Sequence, residues 1–372
     1  PAACLPVMID VGTNNNELWS DPQYIGLPEP RLEGEAYDAL IDEFMEAAGD
    51  VFPRVMIQLE DFGNRNAFRL LDRYRDRYCM FDDDIQGTAG VTLAGLYSAL
   101  RIIKGKITEQ RIVFLGAGEA ALGIGNLAAS AMVRQGLAEE EALGRCWFVD
   151  SKGLIVAGRE DLNLHKRRFA HDFPFHRTLA EVVEAVRPTT LIGASGQPAA
   201  FGPEILEAMA RLNERPIIFA LSNPTSRAEC TAEDAYRHTQ GRAVFAGGSP
   251  FPKVEMNGQT FVPGQANNVY IFPGVGLGVM ASDATRVTDE MFAAAAKCLD
   301  EQVSKDDLEQ GRIFPSLARI RDVSAAIALA VAKVAFAGKL TAMKEPSNLP
   351  GYIKSLMYDP VYSSYVPVKK HG

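Results

Sequence analysis

The sequence has little of what marks disulfide-stabilised or nucleic-acid-binding proteins. Its five cysteines are scattered without a CxxC pair, and this odd number of thiols suits a reduced protein better than a disulfide framework. Lys and Arg are fewer than Asp and Glu, and the resulting formal net charge of -9 argues against a phosphate-binding surface. The composition therefore predicts a protein of the reducing cytoplasm without a nucleic-acid partner.

Long apolar runs are also missing. No segment approaches the roughly eighteen uninterrupted apolar residues of a membrane-spanning helix. The start, PAACLPVMIDVG, has no basic region ahead of an apolar stretch, so we predict neither a membrane segment nor a signal peptide. Because the chain begins with Pro, we expect it to be a truncated or processed piece.

What is present is ordinary globular material, with 372 residues of which 47% are hydrophobic and 23% charged, enough for two or three domains. Short β-branched runs alternate with longer helical stretches, which is typical of an α/β protein with a mainly parallel sheet. The predicted strands are 7–11, 55–59, 111–115, 146–149, 190–192, 217–221 and 243–246. The predicted helices include 66–78, 89–103, 119–135, 289–297 and 323–336. The C-terminal region beyond the last strand is predicted to be wholly helical, and the tail from Met343 to be extended.

The most legible motif is RIVFLGAGEAALG. A strand at 111–115 is followed by Gly116, Gly118 and Ala121 in the GxGxxA form and by the helix 119–135. In a dinucleotide fold the first Gly makes the tight turn, the second admits the pyrophosphate, and the helix N-terminus supplies amide donors. The context favours a Rossmann-like domain over a merely tight strand–helix turn.

The next predicted strand ends at Asp150, where such folds place the acid that binds the adenine ribose. Ser151 and Lys152 follow at once, and HKRR brings Lys166 and Arg167 within reach of the same ribose edge. A basic tetrad on a loop is usually a solvated face. Together with Ser151 and Lys152, however, it favours a 2'-phosphate ligand, and hence NADP over NAD.

A second glycine-bearing strand end, LIGASG, places Gly193, Ser195 and Gly196 at a sheet terminus. Ligands of open α/β sheets gather at such termini. A left-handed turn without a ligand explains these few residues equally well, so both interpretations stay open.

Carboxylates follow two apolar runs. The strand 55–59 leads into Glu60 and Asp61, and CMF leads into Asp82, Asp83 and Asp84. Like charges packed at a sheet edge repel one another unless a cation compensates them. An oxygen-only set without a nearby His or Cys pattern suits Mg²⁺ or Mn²⁺ better than Zn²⁺. Two acidic turns that cap helices are the alternative.

Seven blocks resemble one family. They are IDVGTNN, QLEDF with NAF, DDIQGTA, GAGEAALG, VDSKGLIV, ALSNPT, and PGQANN ahead of YIFPG, and they follow the order found in malic enzymes. The resemblance runs from near the first residue to about Gly274. It implies oxidation of malate at C2 by hydride transfer to NAD(P), followed by loss of the C4 carboxylate as CO2 to leave pyruvate.

The resemblance also assigns residues. It implies that Glu60, Asp61 and Asp84 are the metal ligands and that Asp83 orients or tunes the basic group. With the motif residues described above, the predicted cofactor contacts are Gly116, Gly118, Glu119, Ala120, Ala121, Asp150, Ser151, Lys152, Lys166, Arg167, Ser195, Asn223 and Asn267. Asn223, Asn267 and Asn268 match positions that contact substrate. The VDSKGLIV block followed by LHKRRFAH resembles the NADP-preferring members.

The family's general base Lys, general acid Tyr and malate-binding Arg lie upstream of the motif matched by CLPVMIDVG, so the resemblance puts them outside this sequence. The architecture it implies is a metal-side α/β domain of residues 1–82 and 268–340, a dinucleotide domain of 83–267 inserted into it, and a C-terminal arm of 341–372. It also implies a homodimer or homotetramer. Two other functions stay open: a dinucleotide-binding module or subunit without turnover, and an amino-acid dehydrogenase of similar topology.

Overall fold

A computed structural model describes residues 3–63 and 65–361. This described part of the chain falls into two compact units. One consists of the described residues within Pro1–Val55 and Leu356–Gly372, and the other of those within Met56–Ser355.

The smaller unit contains one long helix, α1 (Gly34–Val51). Tyr37, Ile41 and Met45 recur at helical spacing and form its buried stripe. The strand predicted at 7–11 is wrong: these residues have no regular structure, and Val7 and Met8 are 53% and 92% exposed. A strand needs a neighbour for its backbone N–H and C=O groups, and no described segment pairs with this one.

The larger unit is an α/β structure. Its strands are β1 (Ile57–Leu59), β2 (Met80–Asp82), β3 (Ile112–Leu115), β4 (Cys146–Asp150), β5 (Gly153–Leu154), β6 (Thr190–Gly193), β7 (Ile217–Ala220), β8 (Val244–Gly247), β9 (Val254–Met256), β10 (Gln259–Phe261) and β11 (Gly264–Gln265). Its α-helices are α2 (Ala67–Tyr74), α3 (Thr88–Ile103), α4 (Glu119–Arg134), α5 (Glu139–Leu143), α6 (Leu164–Arg167), α7 (Leu179–Val186), α8 (Pro203–Leu212), α9 (Ala232–His238), α10 (Phe272–Ser282), α11 (Asp289–Glu301), α12 (Lys305–Glu309), α13 (Ile320–Ala337) and α14 (Leu349–Leu356), the last of which ends at the first residue assigned to the smaller unit. Short 3-10 turns occupy Leu18–Ser20, Ile107–Glu109, Thr225–Arg227, Asn268–Tyr270 and Leu317–Arg319, and Asp83–Gly87 is a π-helical turn.

A seven-stranded sheet organises this unit. Its strand order is β11-β8-β7-β6-β3-β4-β5, and every pair is parallel except β4 with β5. The residues of β3, β6, β7 and β8 are buried along their whole length, as parallel strands covered by helices on both faces should be. The predicted Rossmann-like α/β class is confirmed.

The chain changes direction within the sheet between β3 and β6. From β3 it moves outward to β4, and it then returns to the opposite side of β3 as β6. Loops at such a reversal diverge and leave a crevice at the carboxyl ends of the strands. The GAG loop after β3 and the ASG loop after β6 meet at this point.

The region after β8 is less purely helical than predicted. The hairpin of β9 and β10 turns at Asn257 and Gly258, which have φ values of 53° and 74°. Asn-Gly is a strong signal for such a turn. The extended tail predicted from Met343 is also wrong within the described residues, because α14 buries Leu349 and Ile353 one turn apart. Residues 362–372 lie outside the described part.

No helix among the described residues is long and apolar enough to cross a membrane. The helical C-terminal region predicted from the sequence is confirmed by α10, α11 and α13, which pack against one another. The division into residues 1–82 with 268–340, 83–267 and 341–372 stays a prediction.

Candidate functional site

Two short parallel strands bring the acidic residues together. In the register of β1 with β2, Leu59 lies opposite Asp82, so both strands end at the same edge. Glu60 and Asp61 leave β1 there, and Asp83 and Asp84 leave β2. The topology therefore places the two predicted acidic loops side by side.

A direct hydrogen bond joins these loops. The backbone N–H of Asp61 donates to Oδ2 of Asp84 at 2.8 Å, and Asp61 adopts a left-handed φ of 61°. Glu60 accepts a 3.0 Å hydrogen bond from Nε2 of Gln58. The second acidic turn also has a capping role, because Asp82 accepts from the N–H of Ile85 and caps the π-helical turn, whereas Asp84 accepts from Asp61.

The carboxylates disfavour one another's charge. Partial burial of its carboxylate raises the pKa of Glu60, an otherwise exposed residue, and the charges of Asp84 and Asp61 add repulsion. Burial raises the pKa of Asp82 to about 7, and the charges of Asp84 and Glu60 act in the same direction. This accumulation of negative charge is what a bound cation would compensate.

Asp83 is held from two sides. Burial, followed by the charges of Glu60 and Asp84, raises its pKa to about 7, against the lowering effect of a 2.9 Å hydrogen bond from Nδ2 of Asn268 to its Oδ2. Asn268 also hydrogen-bonds to Thr88, so its amide is engaged by the protein. A Cβ on Gly87 would lie 1.9 Å from Oδ1 of Asp83, so only glycine leaves room for this carboxylate.

The residues Glu60, Asp61, Asp82, Asp83 and Asp84 form an acidic cluster. Its chemistry fits a hard divalent cation. Oδ2 of Asp82 and Oδ1 of Asp83 are buried without a hydrogen-bond partner among the described residues, and the cluster offers oxygen ligands. In residues 3–63 and 65–361, however, no three His, Cys, Asp or Glu side chains converge in a metal-holding geometry. The assignment of Glu60, Asp61 and Asp84 as ligands thus stays a prediction.

The dinucleotide loop lies at the reversal between β3 and β6. Gly116 has a φ of 109°, and a Cβ there would lie 2.4 Å from the carbonyl oxygen of Ala194. Gly118 is the N-cap of α4, with Ala120 half-buried and Ala121 fully buried in its first turn. The GxGxxA residues therefore form the close strand–helix turn that the motif predicts.

Glu119 connects this loop to the acidic cluster. Its side chain is buried, and burial followed by the charges of Asp82 and Asp84 raises its pKa to about 7, while a hydrogen bond from Ala67 acts to lower it. The helix α4 also packs tightly on the π-helical turn, since a Cβ on Gly123 would lie 2.8 Å from the carbonyl oxygen of Ile85. The two predicted sites are therefore neighbours.

We call the residues around Asp150 at the end of β4, where the adenine ribose is expected, the ribose corner. The sequence did not reveal that Arg159 belongs to it. Its guanidinium donates to both carboxylate oxygens of Asp150, at 2.9 and 3.0 Å, and Nζ of Lys166 donates to Oδ2 at 2.9 Å. Despite burial, which acts to raise it, the pKa of Asp150 is lowered by these bonds. Lys152 joins these residues through Asp161, which forms ion pairs with Lys152 at 2.8 Å and with Arg159 at 2.9 Å.

Other predicted residues of this corner lie at its surface. Ser151 and Arg167 are exposed, and Arg167 donates to the carbonyl of Leu162 at 3.5 Å. Only a short GR turn after VDSKGLIV could have pointed to Arg159, since the contact depends on how the chain folds back after β5.

The remaining predicted residues follow the ends of other strands. Ser195 follows β6 and Asn223 follows β7, where Asn223 is exposed. Asn267 accepts a 2.9 Å hydrogen bond from the N–H of Val269 and begins the turn Asn268–Tyr270. Glu229, to which no sequence motif pointed, is buried and hydrogen-bonds to Ser195. Its only sequence signal is an acid in AEC, soon after ALSNPT.

Family comparisons cover most of the chain. A family model described as "Malic enzyme, NAD binding domain" matches residues 85–336, more than half of the sequence. A second, "Malic enzyme, N-terminal domain", matches residues 1–75. Both matches agree in order with the resemblance of the seven sequence blocks.

Individual proteins agree. The chain is 52% identical over 368 residues to the mitochondrial NADP-dependent malic enzyme of Homo sapiens, covering 98% of this chain and 61% of that protein. It is 51% identical over 370 residues to another human NADP-dependent malic enzyme, covering 99% and 65%. The chain thus spans less than two thirds of these curated relatives.

Among solved structures, the malic enzyme of Entamoeba histolytica superposes with a TM-score of 0.71 at 28% identity, covering 86% of this chain and 62% of that one. Fold, motif order and family matches converge. The chain belongs to the malic enzyme family.

Proposed function

We propose that this chain forms the metal- and dinucleotide-binding part of an enzyme that oxidatively decarboxylates malate to pyruvate and CO2 with reduction of NADP. The observation that carries the proposal is the position of Glu119. It belongs to the GxGxxA loop, yet its pKa is raised, after burial, by Asp82 and Asp84 of the acidic cluster. A nucleotide at the loop and a cation at the cluster would therefore lie close together.

The cofactor would be held by the loop after β3. Gly116 and Gly118 admit a pyrophosphate, and the N-terminus of α4 supplies amide donors. When bound, NADP would accept the hydride from C2 of malate.

The ribose corner supports NADP in preference to NAD. Arg159 engages both oxygens of Asp150, so this acid is occupied and its charge is compensated. Lys152, Lys166 and the exposed Ser151 and Arg167 would then favour a 2'-phosphate. The relatives that share about half of the sequence are named NADP-dependent.

Mg²⁺ or Mn²⁺ would be held by Glu60, Asp61 and Asp84, and it would act as a Lewis acid toward the substrate's oxygens. Glu60 and Asp61 are exposed, so their side chains can rotate toward a cation. Asp83 would orient a basic group with Oδ1, since Asn268 fixes its Oδ2.

Asn223 and Asn267 would bind malate and the nicotinamide end. Asn223 is exposed beyond β7, and its amide can both donate and accept. The side-chain oxygen of Asn267 accepts a hydrogen bond from the N–H of Val269, so its NH2 group would be the part that donates to a ligand. Asn268 would contribute indirectly, through Asp83.

Self-association and the division into 1–82 with 268–340, 83–267 and 341–372 belong to the same proposal. They follow from the family resemblance, and exposed apolar side chains such as Leu5, Met8 and Ile25 are compatible with further contacts of the smaller unit.

The test is a steady-state assay of the purified full-length protein, because the resemblance puts the general base and general acid upstream of this sequence, and the assay is read at the absorbance of the reduced nicotinamide. We expect reduction that requires both malate and Mn²⁺ and that is faster with NADP than with NAD. Turnover without metal would contradict the metal assignment, and better use of NAD would contradict the cofactor preference. Calorimetric binding of NADP without any pyruvate formed would instead support a non-catalytic dinucleotide-binding module.

A further inference from the structure

A buried carboxylate lies beneath two of the loops that border the proposed nucleotide site. Glu229 follows the turn Thr225–Arg227 and precedes α9, and its exposure is 0%. Glutamate is almost never fully buried unless partners satisfy its charge. The residues that donate hydrogen bonds to Glu229 therefore identify the segments of the chain that this side chain joins.

Four donors from two loops converge on Glu229. The N–H and Oγ of Ser195, after β6, donate to its Oε1 at 2.9 and 3.1 Å. The Oγ of Ser222, after β7, donates to the same oxygen at 2.5 Å, and the N–H of Ser222 donates to Oε2 at 3.3 Å. One carboxylate thus joins the two strand ends.

The surrounding backbone is shaped around this carboxylate. A Cβ on Gly193 would lie 2.5 Å from Cδ of Glu229, so glycine at the end of β6 leaves the space that the carboxylate fills. The backbone carbonyl of Glu229 accepts the N–H of Phe201 at 2.8 Å, which fixes the residue from its other side. The N–H of Gly196 donates to Oγ of Ser222 at 2.9 Å and closes the network.

Both joined loops carry residues of the proposed site. The loop after β6 approaches Gly116, since the carbonyl of Ala194 lies where a Cβ of residue 116 would be. The loop after β7 continues into Asn223. The relative position of these two loops would therefore set the distance between a cofactor bound beside Gly116 and the amide of Asn223.

We infer that Glu229 is a positioning residue that fixes the loops after β6 and β7 relative to each other. It would thereby keep bound NADP and the side chain of Asn223 at a fixed distance. This inference rests on the proposed function. Glu229 would touch neither ligand, because its side chain is buried beneath the loops and its oxygens are taken up by the two serines.

The test compares Glu229→Gln with Glu233→Gln. The first change keeps the shape but places an amide NH2 against donors, whereas Glu233 is exposed and pairs with Arg237. We expect the Kd of NADP, measured by calorimetry on folded protein, to rise about 10-fold or more in Glu229→Gln, because a buried donor loses its acceptor. Glu233→Gln should bind as the wild type does.

Amide hydrogen exchange of the nucleotide-free protein provides a second measurement. In Glu229→Gln the amides of Ser195, Gly196 and Ser222 should exchange faster, with β3 and β4 unchanged. If Glu229→Gln does not fold, Ser222→Ala removes one donor while it keeps the carboxylate, and it should raise the Kd in the same direction.

Wild-type Kd and wild-type exchange in Glu229→Gln would overturn the inference. A lower melting temperature with an unchanged Kd would also overturn it, because the residue would then be only structural. If the wild type itself does not bind NADP, the proposed function fails together with the nucleotide half of the inference. Faster loop exchange in Glu229→Gln would then still support the joining of the two loops.

Discussion

At the scale of single residues, Arg159 decides what Asp150 can do. A free carboxylate at this strand end would accept a ribose hydroxyl and repel a 2'-phosphate. Here both of its oxygens are taken by Arg159, and Lys166 binds one of them as well. The sequence predicted Asp150 and Lys166 because they follow recognisable motifs. It could not predict Arg159, since the contact requires the fold of the chain after β5.

Lys166→Gln tests the preference for NADP at this corner. The variant should bind NADP about 10- to 100-fold more weakly and NAD almost unchanged, because a charge-assisted hydrogen bond to phosphate contributes on the order of 1.5–3 kcal/mol. The measurement is the pair of Kd values by calorimetry, with exposed Lys354→Gln as the control. Equal weakening of NAD and NADP would speak against a 2'-phosphate contact.

His171 should make stability depend on pH. Its ring stacks on Trp147 with centroids 3.5 Å apart, its Nε2 lies 2.9 Å from the carbonyl of Cys146, and burial lowers its pKa. In the unfolded chain this histidine has its ordinary pKa of about 6.5, so at a pH below that value the unfolded chain binds the proton more readily than the folded protein does. The stabilisation is therefore complete above that pH and decreases as the pH falls through it.

The measurement is the free energy of unfolding in urea at pH 7.5 and at pH 5.5, set as experimental conditions about 1 unit on either side of the unfolded pKa. We expect wild type to lose more stability between them than His171→Phe, which carries no proton at this position. Equal losses would show that His171 titrates alike in the folded and unfolded states.

At the scale of elements, the strand–turn–helix unit of β3 and α4 was the best predicted part. Its signal is local: an apolar run, two glycines and an apolar helix. The strand predicted at 7–11 had the same apolar character but no partner, and it did not form. Helix α14 was missed because its short Pro- and Gly-containing sequence shows helical spacing only at Leu349 and Ile353.

Gly116→Ala tests the close approach of the β3 and β6 loops. Gly136 is a matched control, because it has a similar φ of 102° but open space where a Cβ would be added. A Cβ on Gly116, whose φ is 109°, would instead meet the carbonyl of Ala194 at 2.4 Å. Gly136→Ala should lower the free energy of unfolding by about 1 kcal/mol through backbone strain alone.

Gly116→Ala should lower the free energy of unfolding by about 2 kcal/mol or more. It should also weaken NADP binding, because the loops after β3 and β6 must move apart to relieve the contact. Urea unfolding and calorimetry measure the two effects. If both variants lose the same free energy of unfolding and keep their NADP affinity, the contact with Ala194 does not restrict the residue at position 116.

At the scale of the whole molecule, ligands should stabilise the protein in separable ways. NADP at a 100-fold excess over its Kd should add about 2.7 kcal/mol to the free energy of unfolding, and Mn²⁺ at the same excess should add as much. Asp84→Asn should abolish the Mn²⁺ effect and keep most of the NADP effect. Differential scanning calorimetry measures both, with exposed Asp306→Asn as the control.

A full Mn²⁺ effect in Asp84→Asn would remove Asp84 from the proposed ligands. If Asp84→Asn loses the stabilisation by both Mn²⁺ and NADP, then binding at the acidic cluster and binding at the dinucleotide loop depend on each other, although the two lie at the ends of different strands.

The sequence alone determined the α/β class, the position of the dinucleotide turn and the two acidic loops, because each depends on residues adjacent in the chain. The tertiary structure decided which residues of different loops meet. Glu119 beside Asp82, Arg159 across Asp150, and Glu229 beneath Ser195 and Ser222 are contacts between segments distant in sequence. Their geometry follows from sheet order and register, and no local pattern encodes that order.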